Sequence, residues 1–341
     1  MLTEDTRSRL LANKLIGICR SLGVEGAEAA AGIVGGATAI DPSGRGWVLV
    51  QDEAARGLGA ALAWGERRSG GVVTCVVDVD REGRPQSEAG AALTRRLAGL
   101  APGADGRVGV VVVDGATVGI VPAAPVEAHG PFSLDPIFEP LLPAAAAAGV
   151  EIEVHADGTA SLEVLGLEVG RFARSDDGSP LLRVGAGRHD RDTFDELFDG
   201  APTALALASA AAMVRTLRHS DAGTGPGNLL QRARWMRSVA LSEGRSLVAI
   251  PEATPAEDLR TLRCAAAIAE DGTLVAFSAG IDLDLVPTIA DAWLRCDAAG
   301  RTPHRVEVHV PTGDDMAITT DLLRHLLVPA HLSAVTPPWD G

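Results

Sequence analysis

The sequence predicts an α/β protein of two domains, with mixed sheets flanked by helices. Three observations predict it. A length of 341 residues exceeds an ordinary single domain and suffices for two cores. Continuous apolar runs alternate with amphipathic segments in the first third, which is the β-α-β-α order of parallel pairing. Prolines at 122, 125, 131, 136, 140 and 143 then interrupt the chain where no regular element is expected. This places an N-terminal α/β domain at 1–121, a Pro-rich linker at 122–143 and a C-terminal α/β domain at 144–341.

The elements follow in order. Apolar residues at helical spacing (Leu11, Leu15, Ile16, Cys19) predict a first helix, and an Ala-rich stretch ending at Gly35-Gly36 predicts a second. A strand at Trp47 to Val50, a helix from Glu53 to Arg67, a buried strand at Val72 to Val77 and a helix near Ser87 to Leu100 come next. Asp114-Gly115 joins Val108 to Val113 and Thr117 to Val121 as a hairpin. Past the prolines, a helix near Ala144 to Ala148 precedes strands near 151–155, 161–165, 167–173 and 181–184, and a helix starts near Asp190. Long helices at 202–218 and 229–242 flank the glycine-rich loop 220–228, read as a linker. Strands at 263–269 and 274–277, a helix at 287–295, a strand at 306–310 and a helix at 315–327 complete the chain. The segments around Asp176-Asp177-Gly178 and Asp271-Gly272 share a strand-turn-strand-helix order, read either as a degenerate duplication or as recurrence of a common unit.

Composition excludes several chemistries. Hydrophobic residues make up 46% of the chain but aromatics only 3%, with no Tyr, so the core must be aliphatic. No apolar stretch reaches the roughly 20 residues of a membrane span, and the first residues lack the pattern of a signal peptide, so a cytoplasmic location is expected. A net charge of −15 repels nucleic acid. The 4 cysteines are far apart and suggest neither disulfides nor a zinc ribbon. Lys14 is the only lysine and lies away from any glycine-rich turn, which disfavours Walker A sites, Schiff-base enzymes and protein kinases.

Strand-end carboxylates are what remains. Glu168, with His189 and Asp190 at the start of a following helix, is one candidate set, because carboxylates converging from a hairpin and its neighbour are a way to hold Mg²⁺ or Mn²⁺. The competing reading has Glu168 facing solvent and Asp190 capping a helix. Asp282 and Asp284, beyond the strand at 274–277, are the candidate metal ligands, against their use as caps and turns. Asp78 and Asp80 have the same spacing but lack a partner lysine, and Ser278 approximates a nucleophile elbow without the helix that should follow it. Arg232, Arg234, Arg237 and Arg245 with Trp235 form the densest basic patch, read as a solvated face with Trp235 and Met236 packed inward or as a surface for an acidic partner or nucleic acid.

The segments GRGWVLVQDEAARGLGAALAWG, GLEVGRFARSDDGSPLLRVGAGRHDRDTF and SAGIDLDLVPTIADAWL resemble those of an uncharacterised protein family of high-GC actinobacteria. That resemblance implies no particular function. Residues 168–194 are also similar to the hairpin of restriction-endonuclease-like proteins, but Arg183 and Gly185 stand where that pattern has an acid and a lysine.

Two functions follow. One is a non-catalytic intracellular binding or scaffold protein, with a protein partner or small ligand and no cofactor. The other is a phosphodiester hydrolase dependent on a divalent metal, Mg or Mn, held by the carboxylates of the C-terminal domain.

Overall fold

The computed structural model describes residues 3–340 apart from 32, 34–35, 51–53, 72, 102–107, 114–115, 125, 186–202, 220–224, 244–245 and 255–257. It is an α/β fold in which helices flank mixed and antiparallel sheets. The chain divides into two units, Met1–Ala128 with Leu283–Leu294 and Met316–Ala330, and His129–Asp282 with Arg295–Asp315 and His331–Gly341.

In the first unit, helix α1 (Glu4–Ser21) precedes a sheet of strands β1 (Glu28–Ala29), β2 (Gly36–Ile40), β3 (Gly46–Val50), β4 (Val73–Val79), β5 (Val108–Val113) and β6 (Ala116–Pro122), adjacent in that order. Helices α2 (Ala54–Arg68) and α3 (Glu88–Leu97) make the crossovers that leave β3, β4 and β5 parallel, while the outer pairs are antiparallel. Leu15, Ile18 and Cys19 of α1 close the core with Ala37, Ala39, Trp47, Leu49 and Val76, so the aliphatic core expected from composition is formed around one indole. The second N-terminal helix expected before Gly35 is absent from the described residues. Strand β1 lies there, because Glu28 and Ala29 pair with Ile40 and Ala39 of β2 and tertiary pairing overrides alanine's helix preference.

The Pro-rich segment is not a bare linker. Asp135 caps a 3₁₀ turn (Pro136–Leu141) that runs into α4 (Leu142–Ala148), and Phe138 is buried against Phe172 with ring centroids 5.8 Å apart. Prolines at the first positions of a turn fit helical φ without costing a hydrogen bond. The units accordingly separate at 128/129. Residues 283–294 and 316–330 belong with the first unit. Buried ion pairs account for part of that return: Arg95 Nε and Arg96 Nε each donate to Asp291, at 2.9 and 2.7 Å. Arg96 Nη1 also reaches Asp284 at 2.9 Å.

The second unit holds two sheets. Strands β7 (Glu151–Val154), β8 (Ala160–Val164), β9 (Leu167–Arg174) and β10 (Pro180–Val184) form an antiparallel meander, covered on one face by α4 and by α5 (Thr203–Leu217) through Leu207, Ala211 and Val214. The second sheet runs β11 (Leu247–Ile250), β12 (Ala265–Ala269), β13 (Thr273–Phe277), β14 (Arg305–Pro311) and β15 (Ala330–Val335). Strands β13 and β14 pair in parallel, while β11–β12 and β12–β13 are antiparallel. The expected helix 229–242 is broken at Gln231, whose φ of 48° is left-handed, into α6 (Pro226–Leu229) and α7 (Arg232–Ser242). The two similar hairpins both form, yet β10 is an edge strand whereas β13 is interior, so they occupy different sheet positions. The helix expected near Asp190 lies outside the described residues.

Candidate functional site

Period-2 alternation along β7 and β8 places Glu151, Glu153, Ser161 and Glu163 on one face and Ile152, Leu162 and Val164 on the other. Register extends that polar face across β9: Glu151 sits opposite Glu163 and Glu163 opposite Glu168, while Ser161 sits between Glu153 and Arg171. A row of carboxylates directly opposite one another is repulsive unless cations lie over it. Helix α7 supplies them. Its Trp235, Met236 and Ala240 pack on Ala265, Ala267, Val275 and Phe277 of the second sheet. Arg234, Arg237 and Ser238 turn instead toward the carboxylates. The approach is close because the β8–β9 turn is Leu165-Gly166, with φ of 48° and 72°.

Arg234, only 1% exposed, is the hub. It donates to Glu163, meets Glu252 Oε1 at 2.9 Å and Glu153 Oε1 at 3.3 Å. Arg237 donates to Glu153, and Arg263 holds the other oxygen of Glu252 at 2.7 Å. Arg171 grips Glu168 with two hydrogen bonds of 3.0 and 2.9 Å. His155, fully buried, contacts Ser161 Oγ through Nε2 at 2.8 Å and the Glu252 carbonyl through Nδ1 at 3.0 Å. The basic patch expected to be solvated on α7 is therefore interior at Arg234 and Arg237, and its acidic partner is the chain's own sheet. Trp235 and Met236 do pack inward, and Arg245 lies outside the described residues.

The cluster sets the charge states of its members. Burial raises the Glu153 carboxyl, but Arg234 and Arg237 more than offset this and hold it well below the ordinary range. Glu252 is lowered in the same way, with Arg234 and Arg263 outweighing burial. Burial pushes Glu163 up to about 7, with the Glu153 and Glu168 carboxylates working against the pull of Arg234 and Arg237. The lowered groups stabilise the fold above the ordinary carboxyl value near 4.5 and lose that contribution as pH falls below it. Glu163 acts oppositely. Between 4.5 and about 7 the native chain keeps a proton the unfolded chain has lost, so stability declines as pH rises through that window. Glu163→Gln is expected to remove this decline, roughly 2–3 kcal/mol between pH 5 and 7.5, while keeping the loss on the acid side. Urea unfolding at half-unit pH steps measures it, and an unchanged slope between pH 5 and 7 in the variant would contradict the assignment.

Of the residues singled out in the sequence, Glu168 is buried beneath Arg171 and Ser161 and does not face solvent. His189 and Asp190 lie outside the described residues. Asp284 is bonded by Arg96, and Asp282 is partly buried. Asp78 receives the lone lysine, with Lys14 Nζ at 2.8 and 3.0 Å from its two oxygens, so Lys14 serves an ion pair between α1 and β4. Asp80 accepts the backbone N–H groups of Glu82 and Arg84 in a turn. Ser278 is buried and Asp314 accepts the N–H of Gly280. Among the described residues no group of three or more His, Cys, Asp or Glu side chains is placed to hold a metal ion, and no helix is long and apolar enough to cross a membrane. Sequence reasoning missed Glu153, Glu163, Glu252, Arg171 and His155. The available signal was the two-residue spacing of Glu151/Glu153 and Ser161/Glu163 beside the three-residue spacing of Arg234/Arg237, which are the repeats of a strand face and a helix face. No family model matches the chain, and no curated protein and no solved structure matches it.

Proposed function

We propose that the chain is a non-catalytic binding or scaffold protein of the cytoplasm, taking a protein partner or a small ligand. One observation carries this reading: the charged side chains gathered in the second unit neutralise one another. Glu153, Glu163, Glu168 and Glu252 face Arg171, Arg234, Arg237 and Arg263 in one cluster, buried at Glu153, Glu163, Glu168, Arg234 and Arg237 and partly exposed at Arg263. A metal or phosphodiester at Glu168 would have to displace a two-bond Arg171 contact from a carboxylate already out of water. The cytoplasmic assignment is supported by Cys19, Cys75, Cys264 and Cys296, all buried free thiols.

Titration of the purified chain with Mg²⁺, Mn²⁺ or Ca²⁺ to millimolar levels is expected to leave its thermal midpoint unchanged. A metal-dependent rise in the midpoint that Glu168→Gln abolishes, together with metal-dependent cleavage of bis-(p-nitrophenyl) phosphate, would overturn the proposal in favour of the hydrolase. A stoichiometric partner co-purifying with the tagged chain from its native host is the positive expectation.

A further inference from the structure

The Ser161 hydroxyl has one proton and two acceptors beside it: His155 Nε2 at 2.8 Å and Glu168 Oε2 at 3.3 Å. Which one receives it is decided at the far side of the imidazole. Nδ1 lies 3.0 Å from the Glu252 carbonyl, and a carbonyl only accepts, so Nδ1 carries a hydrogen. In the neutral ring Nε2 is then the acceptor, and the Ser161 proton points at it. When Nε2 is protonated it becomes a donor to Ser161 Oγ, which frees the hydroxyl proton for Glu168. Both arrangements use the same heavy-atom positions.

We propose that His155 is a buried proton-binding switch: uptake of one solvent proton at Nε2 reverses the Ser161 hydroxyl, which stops donating to the ring and donates to Glu168. The protonated state is then a one-way chain, with Nδ1–H donating to Glu252 O, Nε2–H to Ser161 Oγ, and Ser161 O–H to the Glu168 carboxylate. No hydrogen bond is lost and the new positive charge is connected to an anion.

The charges facing His155 come from every element around it. The Glu252 backbone carbonyl bonded to Nδ1 and the Glu153 carboxylate on β7 favour the cation, as do Asp157 in the β7–β8 turn and, through Ser161, Glu168 on β9. Arg234 on α7 and Arg171 on β9 oppose it. Burial dominates and holds His155 below the ordinary value of 6.5. It sits at a joint between the two sheets of the second unit. Ala156 N–H donates to Ala253 O at 3.0 Å and Glu252 N–H to Glu153 Oε1 at 3.1 Å, so the proton arrives where β7 meets the segment after β11.

The test is an NMR titration of the full chain labelled with ¹⁵N,¹³C-histidine, the His155 signals being identified by their loss in His155→Gln. Near pH 7.5 the ring is expected in the Nδ1–H form. On acidification it takes up a proton while the backbone amide spectrum stays native. Ser161→Ala is expected to lower the His155 midpoint by about half a pH unit or more, because the bonds lost from the cation are charge-assisted and stronger than the one lost from the neutral ring. An Nε2–H ring near neutrality, or protonation only as the fold is lost, overturns the proposal. So does a Ser161→Ala midpoint that rises or stays put, which is the sign of a hydroxyl fixed as donor to the ring. Should Ser161→Ala fail to fold, the two wild-type readings decide.

Discussion

Replacing Arg234 with methionine is expected to destabilise the second unit by about 3–5 kcal/mol, the cost of breaking a buried ion-pair network from one side. Methionine fills much of the arginine's volume, so the loss is not mainly a cavity effect. The damage lies in the carboxylates left behind. Glu163, Glu153 and Glu252 all face Arg234, and each is nearly out of water. The variant's thermal midpoint should fall by roughly 10 °C at neutral pH. Adding Glu163→Gln to Arg234→Met should recover part of the loss, because it removes one stranded carboxylate. Circular-dichroism melts of the single and double variants decide the matter. A loss below about 1 kcal/mol in Arg234→Met, or a double variant less stable than the single, would show that the cluster is not held by charge pairing.

Gly166→Ala is expected to cost about 2–5 kcal/mol, and by a mechanism distinct from charge. A Cβ at Gly166 would lie 2.3 Å from the Arg234 carbonyl carbon and 2.5 Å from the Trp235 nitrogen. Those are backbone atoms of α7 and cannot rotate aside, so the helix itself must move. The left-handed φ of 72° adds roughly 1–2 kcal/mol of strain for any residue with a Cβ. Displacing α7 also lifts Arg234 and Arg237 from the carboxylate face, so the variant should show a disturbed Trp235 fluorescence as well as a lowered urea midpoint. Gly178→Ala in the β9–β10 turn is the control. Its φ is also positive, at 84°, but nothing lies within 4 Å of a Cβ there, so strain alone should appear, about 1–2 kcal/mol. Equal losses at the two positions would remove the steric argument.

The parts of the fold legible in the sequence are those whose cause is local. The apolar run read at Val72 to Val77 became the buried parallel strand such a run implies, Val73–Val79. The hairpins β9–β10 and β12–β13 were readable because Asp-Gly at their turns supplies the positive φ the chain needs, at Gly178 and Gly272. Strands β2, β11 and β15 were not readable. Each is short, rich in alanine or interrupted by polar residues, and exists because a neighbouring strand offers its backbone groups.

The candidate site divides along the same line. Glu168 was visible as a hairpin carboxylate, and Arg234 and Arg237 as a helical basic stripe, but the sequence places them more than sixty positions apart. Glutamates alternating with apolar residues in β7 and β8 read as a solvated face, and a basic helix face reads the same way, because local periodicity records which residues share a side and not what covers that side.

By itself, then, the sequence determined the fold class and the chemical inventory: an aliphatic core, a single lysine and no clustered cysteines. These are properties of composition and of windows a few residues wide. Only the tertiary structure decided that two polar faces meet each other and not water, and that the lone lysine is spent on Asp78. The physical reason is that a charge is stable either hydrated or paired, and long-range packing of α7 across the carboxylates of β7 and β8 is what selects pairing.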